Sequence, residues 1–315
     1  MLFSLKRITS SGKFIPEIDG LRFVAVISVV FYHFWCLINV DTNNVYTDNT
    51  NYSLLERLVS HGNYGVELFF VISGFILGMP FANLYLLKGK RIKLYDYFKR
   101  RLTRLEPPYI VSLILFLFVS LMFTAISLED SISSFFASFF YVHNFIYPGV
   151  KPFLNGVTWS LEVEVQFYIL APLLSFFIFK IKNKVRRRFF LVGLILFLTI
   201  LTNWYVPEFI SLYNYLKYFL LGFLLVDFYL IQPNLLHQVN KLILKVIILI
   251  LFISIWLFEA IYIKSTYYRV LWEIYQLLVV FIIYYSVINL NLFKLLSNRY
   301  ITNIGGMCYS IYLLH

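Results

Sequence analysis

Eight times in 315 residues the chain turns apolar for about the thickness of a bilayer, near 21–40, 64–87, 108–127, 157–179, 189–206, 209–231, 242–263 and 270–290. Roughly 20 such residues in helix cross the ~30 Å of hydrocarbon, and a helix satisfies its own backbone there. A ninth run begins near Ile301 and ends at His315, short of a full crossing, so the chain reads as incomplete at its C-terminus. With 60% hydrophobic residues, 14% charged and a mean hydropathy of +0.77, an ordinary soluble domain is excluded. The pattern predicts an all-α polytopic membrane protein.

A net charge of +11 invites a nucleic-acid reading, but the basic residues sort by loop instead. With the N-terminus inside, the inner segments hold Lys6, Arg7, Lys13, Arg22, eight basic residues from Lys88 to Arg104, six from Lys180 to Arg188, Lys241, Lys245, Lys294 and Arg299. The outer segments hold Arg57, Lys151, Lys264 and Arg269, and Lys217 falls within a span. The positive-inside rule then predicts a cytoplasmic N-terminus and a multi-pass protein of the cell's inner, or plasma, membrane. The first span lacks a small-residue cleavage site and reads as an anchor. The Asn-rich stretch NVDTNNVYTDNTNYS reads as an outer loop. Cys36 and Cys308 offer no disulfide framework, and the five histidines fall in no zinc-ligand spacing.

Within the first span, Arg22 and His33 are eleven positions apart. In a helix eleven steps make about three turns and roughly 16 Å, so the two share a face. That stacks an arginine near the membrane surface below a histidine near the midplane, where an ionisable group is costly unless it lines a polar cavity. A snorkelling Arg and a packed His remain the alternative. Glu67, in GVELFFVISGF, enters the second span from the outside and can approach the depth of His33; Ser73 and Gly74 read as close-packing residues.

The following inner segment, KGKRIKLYDYFKRRLTRLEPPY, mixes basic with apolar residues as an interfacial amphipathic helix does. Anionic lipid alone would account for its charge. Arg100, Arg101 and Arg104 also suit a bidentate grip on phosphates. Pro107 and Pro108 are expected to stop this helix and start the third span. The fourth span opens with GVTWSLEVEVQFY, unusually polar for a membrane helix. Ser160 and Glu164 share a face, with Tyr168 a turn further, while Glu162 points elsewhere, near the outer interface where an acid is cheap. Trp159 stands at the same mouth, over which His143 and Asn144 can fold. Lys217 and Asp227 in the sixth span read as interfacial or structural.

These segments resemble those of acyltransferase family 3, integral membrane O-acyltransferases that modify surface carbohydrates and related hydroxylated molecules. EIDGLRFVAVISVVFYHF is similar to the family's first-helix signature of Arg, ten residues, then His. GVELFFVISGF resembles the second-helix motif, FKRRLTRLEPPY the arginine-rich motif, TWSLEVEVQFY the Trp-Ser-Leu segment with its acid at Glu164, and IGGMCYSIYLLH the final motif ending in His. The resemblance implies about ten helices, which with the runs counted above gives an expected bundle of about nine to ten, the last truncated here, in a single domain over residues 1–315, without the soluble domain fused to some relatives. It also implies an acyl-coenzyme A donor, most simply acetyl-CoA, arriving from the cytoplasm, no tightly bound cofactor, and an acceptor hydroxyl on the far side.

Joined to the residues, that implies coenzyme A phosphates on Arg22, Arg100, Arg101 and Arg104, with His33 as catalytic base. Glu67 or Glu164 would orient the imidazole or the sugar, and the carbohydrate acceptor would sit near Trp159, Ser160, His143 and Asn144. An acyl-enzyme on His33 or a serine stays open. So does a different class, a transporter or flippase of a lipid-linked glycan, which equally needs a polar path but has no use for an inner phosphate grip. Expected partners are the lipid bilayer, acyl-CoA and the acceptor, with a second copy of the chain or a glycan-assembly protein left open. No nucleic acid and no metal are expected.

Overall fold

The computed structural model of the chain describes residues 14–41, 53–123, 127–232, 239–257, 265–290 and 292–315. Lys6, Arg7, Lys13, Lys264 and most of the Asn-rich loop lie outside the described residues. Every regular element among the described residues is helical: α1 Pro16–Asp41, α2 Leu54–Ser60, α3 Gly65–Leu87, α4 Leu94–Phe123, α5 Leu128–Phe139, α6 His143–Ile146, α7 Trp159–Phe179, α8 Lys184–Trp204, α9 Leu212–Ile231, α10 Lys241–Leu257, α11 Thr266–Leu290, α12 Arg299–Gly306 and α13 Cys308–Leu314. The starts are set by side-chain caps. Ser53 and Glu56 form a reciprocal capping box at α2, Asn183 Oδ1 accepts the N–H groups of Val185 and Arg186 at 2.9 and 3.1 Å, and Asn298 accepts that of Tyr300 at 2.9 Å.

Each of the eight apolar runs holds a helix. Among the described residues six are long and apolar enough to cross a bilayer: α1, α3, α4, α7, α9 and α11. The other two runs fall on α8, which opens with Lys184 and Arg186–Arg188, and on α10, 17 residues long. The run at 242–263 continues into residues outside the description.

Two sequence expectations are corrected. Pro107 and Pro108 do not end a helix, because α4 runs unbroken through both. Proline's fixed φ suits a helix, and the pair removes the two N–H groups that would bond the carbonyls of Thr103 and Arg104 while its rings crowd those carbonyls, a cost that α4 absorbs without ending. At 30 residues α4 is about 45 Å long, well beyond the ~30 Å hydrocarbon thickness. The basic segment and the third span are therefore one continuous helix. The last apolar run is likewise not a single helix, since it breaks at Met307 into α12 and α13.

The chain divides into two compact units, the first comprising residues up to Ile72 with Leu224–Cys308, the second Ser73–Phe223 with Tyr309–His315. In the first, α1 is the centre. A Cβ on Gly305 would strike the backbone carbonyl of Asp19, and one on Gly62 or Gly65 would strike the carbonyls of Ser28 and Ala25. Lipid tails compete with side chains for apolar contact, so close backbone approach is a main source of helix association here. In the second unit α3 presses Gly74 against the backbone of Phe219 on α9, and Phe167 of α7 stacks on Phe219 with centroids 4.1 Å apart.

Candidate active site

Arg22, His33 and Glu67 all belong to the first unit. Arg22 is 8% exposed and Asp19 2%, and the guanidinium Nη1 donates to Asp19 Oδ1 at 2.6 Å. The acid three residues before the arginine was not singled out from sequence, although its i,i+3 spacing is the signal. A buried guanidinium held by a carboxylate in this way keeps a fixed direction. His33 is half-buried, its ring 5.3 Å from that of Tyr32. The antiparallel contacts of Gly62 with Ser28 and Gly65 with Ala25 set the register of α3 against α1. That register puts Glu67 level with Phe23, beside Arg22 and about ten residues or roughly 15 Å from His33, which corrects the expectation that Glu67 reaches the depth of His33.

The remaining predicted residues belong to the second unit, and several converge. Glu164 Oε1 accepts the hydroxyl of Ser73 at 2.5 Å. Ser73, expected from sequence to serve close packing beside Gly74, is therefore also the partner of a carboxylate on another helix, which no spacing within its own helix signals. Tyr97, Tyr141, Tyr168 and Tyr309 all lie within electrostatic range of Glu164, and Arg101 within range of Tyr97 and Tyr168. Arg101 is half-buried with its guanidinium 6.0 Å from the centre of the Tyr97 ring. Arg100 and Arg104 are exposed, Arg100 Nε donating to the carbonyl of Asp96 at 2.8 Å.

Glu162 departs from expectation. It is fully buried, not an inexpensive interfacial acid. Its two oxygens accept the backbone N–H groups of His143 at 3.1 Å and Asn144 at 2.9 Å. Two N–H donors at the start of α6 are what makes a buried carboxylate there tolerable. Asn144 Nδ2 donates to the carbonyl of Trp159 at 3.0 Å, so the turn carrying His143 and Asn144 is tied to the start of α7 as the sequence suggested.

His143 is completely buried between Tyr147 and Phe153, centroids 4.7 and 5.6 Å away. Neither ring nitrogen, nor Asn144 Oδ1, has a hydrogen-bond partner among the described residues. Desolvation lowers the His143 pKa to about 4, which keeps the imidazole neutral at pH 7. Trp159 is half-buried with its ring 5.3 Å from Tyr215. Ser160 faces another way, with its Oγ 2.8 Å from the hydroxyl of Tyr312 and donating to the carbonyl of Val157 at 3.1 Å. Beside it, Asn155 Nδ2 donates to the carbonyl of Leu313 at 2.9 Å. The final motif thus serves as a strap across residues 155–160. Lys217 donates to Thr202 Oγ1 at 2.6 Å and Asp227 is fully buried. Among the described residues no three His, Cys, Asp or Glu side chains come together as a metal site.

The second unit therefore gathers carboxylates, tyrosine hydroxyls and a neutral imidazole inside apolar helices, an interior able to hold hydroxylated ligands and move protons. The comparison of sequences decides the family: the profile of an acyltransferase domain matches residues 15–315. The chain belongs to acyltransferase family 3. One similar protein, the peptidoglycan O-acetyltransferase OatA of Listeria monocytogenes, is 32% identical over 219 residues, 64% of this chain and 31% of that protein. The O-acetyltransferase OatA of Staphylococcus aureus is 30% identical over 198 residues, 59% of this chain and 29% of that protein. The matched stretch thus spans less than a third of each of these relatives. No solved structure matches the chain.

Proposed function

We propose that this protein is a membrane O-acetyltransferase that moves an acetyl group from cytoplasmic acetyl-CoA to a hydroxyl of a cell-envelope polysaccharide, with peptidoglycan the first acceptor to test. The observation that carries this reading is Glu164, a carboxylate held by the Ser73 hydroxyl inside a pair of apolar helices, in a chain whose family is defined by acyl transfer. An acid is retained at such depth where chemistry or transport uses it. The relatives' names supply the acceptor class.

In this reading the protein sits in the inner membrane with its N-terminus cytoplasmic, in a bundle of nine to ten spans. Arg100, Arg101 and Arg104 on α4 are the proposed ligands of coenzyme A phosphates, and Arg22 on α1, which Asp19 keeps aimed, is a further proposed phosphate ligand. His33 is the general base. The acceptor oxygen attacks the thioester carbonyl carbon while its proton passes to the imidazole, then the C–S bond breaks and the departing thiolate takes that proton back. Glu164 orients the sugar, and Trp159, Ser160, His143 and Asn144 line the way in. A glycan transporter accounts for the polar interior but not for arginines suited to phosphate.

Turnover of acetyl-CoA by the purified protein in nanodiscs, with and without His33→Ala, tests the reading. Hydrolysis or transfer that vanishes in the variant supports it. No turnover by wild type, or full turnover by the variant, overturns it. In cells, loss of O-acetyl signals from the wall polysaccharide by proton NMR, equal in His33→Ala and in a deletion, identifies the acceptor.

A further inference from the structure

Helix α5 closes on an unusual residue. The N–H of Val142 bonds the carbonyl of Ala137 and the N–H of Tyr141 that of Ser138, both at 2.9 Å. This is the crossed pair of hydrogen bonds that ends a helix on a left-handed residue, where glycine is the usual occupant. Here it is Tyr141, with φ +58°. Glycine adopts that backbone freely, whereas a residue with a Cβ is strained in it. Among the described non-glycine residues Lys88 alone shares this conformation, and Lys88 is an exposed side chain at the end of α3. Tyr141 is half-buried and engaged.

Its phenol donates to Glu106 Oε1 at 3.0 Å, and its ring stacks on Tyr109, centroids 5.0 Å apart and 16° from parallel. Tyr109, fully buried, donates its own hydroxyl to the Ser138 carbonyl at 2.8 Å, the same oxygen that accepts the Tyr141 N–H. Burial, reinforced by the Glu106 carboxylate, holds the Tyr141 phenol well above the usual tyrosine range, so it stays a donor at any physiological pH. Two residues later Glu162 takes the N–H groups of His143 and Asn144. The corner 141–144 is therefore clamped between two carboxylates, one on α4 and one on α7. It presents the His143 ring nitrogens and Asn144 Oδ1, buried and without a hydrogen-bond partner among the described residues.

We propose that Tyr141 is held in its strained conformation as a positioning residue for acceptor recognition. Through Glu106 it ties the corner bearing His143 and Asn144 to the helix that carries the arginines, so that uncharged hydroxyl groups of a polysaccharide meet a fixed pair of hydrogen-bonding side chains. This rests on the proposed function, in which those two side chains meet the acceptor.

The test uses the full-length protein in nanodiscs, acetyl-CoA as donor and chitopentaose as a soluble acceptor probe, reading probe binding, acceptor KM, kcat and the melting temperature. Tyr141→Phe keeps the ring and loses the hydrogen bond; it is expected to raise the acceptor KM about fivefold to tenfold with kcat within about twofold. Tyr141→Gly relieves the backbone and should show the same KM defect without a lower melting temperature than Tyr141→Phe. Glu106→Gln still offers the phenol an oxygen and should restore KM to within about twofold of wild type, whereas Glu106→Ala should not. A wild-type KM in Tyr141→Phe or Tyr141→Gly, with wild type active on the probe, overturns this inference alone. A wild-type protein that neither binds nor acetylates the probe overturns it together with the function it rests on.

Discussion

Ser73 on α3 and Glu164 on α7 are joined by a 2.5 Å hydrogen bond across 91 positions of sequence. In a bilayer-embedded helix pair such a bond has two consequences: it lowers the cost of keeping a carboxylate away from water, and it fixes which way that carboxylate points.

Ser73→Ala removes that donor, and hydrogen bonds to charged groups are worth about 1.5–3 kcal/mol. We expect a melting temperature several degrees lower and acetyl-CoA turnover reduced about tenfold, with Ser73→Thr close to wild type in both. An alanine variant that melts and turns over as wild type would show that Glu164 does not depend on Ser73.

Asp19→Asn takes the carboxylate from a guanidinium that is itself nearly buried. Breaking a buried pair from one side costs about 3–5 kcal/mol, enough to be seen as a marked loss of folded protein after detergent extraction. Replacing both members, Asp19→Leu with Arg22→Met, should recover much of the yield while abolishing turnover. Yield and turnover are checked by size-exclusion chromatography and by the acetyl-CoA assay.

The stability of the protein should depend on pH through His143. Its pKa falls from 6.5 to about 4 by burial between Tyr147 and Phe153. The unfolded chain therefore binds the proton first, and stability is complete above about pH 6.5 and declines as pH falls toward 4. Glu162 faces the same turn through the backbone N–H of His143. Melting curves between pH 4 and 7.5 should differ between wild type and His143→Phe by this slope; identical pH dependence in the two assigns the titration elsewhere.

Two glycines should respond in opposite directions to the same change. Gly74→Ala drives a methyl into the Phe219 backbone and should cost stability as overpacking does, about 1–3 kcal/mol. Gly193, inside α8, has nothing within 4 Å of the added carbon, and Gly193→Ala should stabilise by roughly 0.5–1 kcal/mol through helix propensity. Thermal melts of the two variants side by side decide it.

The helices were legible because a bilayer demands about 20 apolar residues in a row, and each predicted run holds one. The break at Met307 and the continuity of α4 through Pro107 were not, since both depend on how a segment packs rather than on its composition. Within the candidate site, Glu164 and the placement of Asn144 beside Trp159 could be read from sequence, because an acid or a polar turn stands out against apolar neighbours. The partners of those residues could not. Ser73 is 91 positions from Glu164, Tyr141 is 35 from Glu106, and periodicity relates residues only within one helix. Glu162 was misjudged for a related reason: its burial is tolerable because two backbone N–H groups arrive from another turn of chain.

The outer skin of this molecule, with Phe118, Phe123, Phe177, Phe189, Leu242 and Ile250 exposed among many others, changes what a mutational scan should look like. In a soluble protein large apolar residues are the sensitive ones; here many face lipid, which solvates leucine as well as phenylalanine. Tolerance should run the other way round. Greasy positions on the rim should accept one another freely, and the intolerant positions should trace a thin thread of glycines, serines and acids through the interior. A saturation library scored for the level of folded protein in the membrane would draw that thread directly.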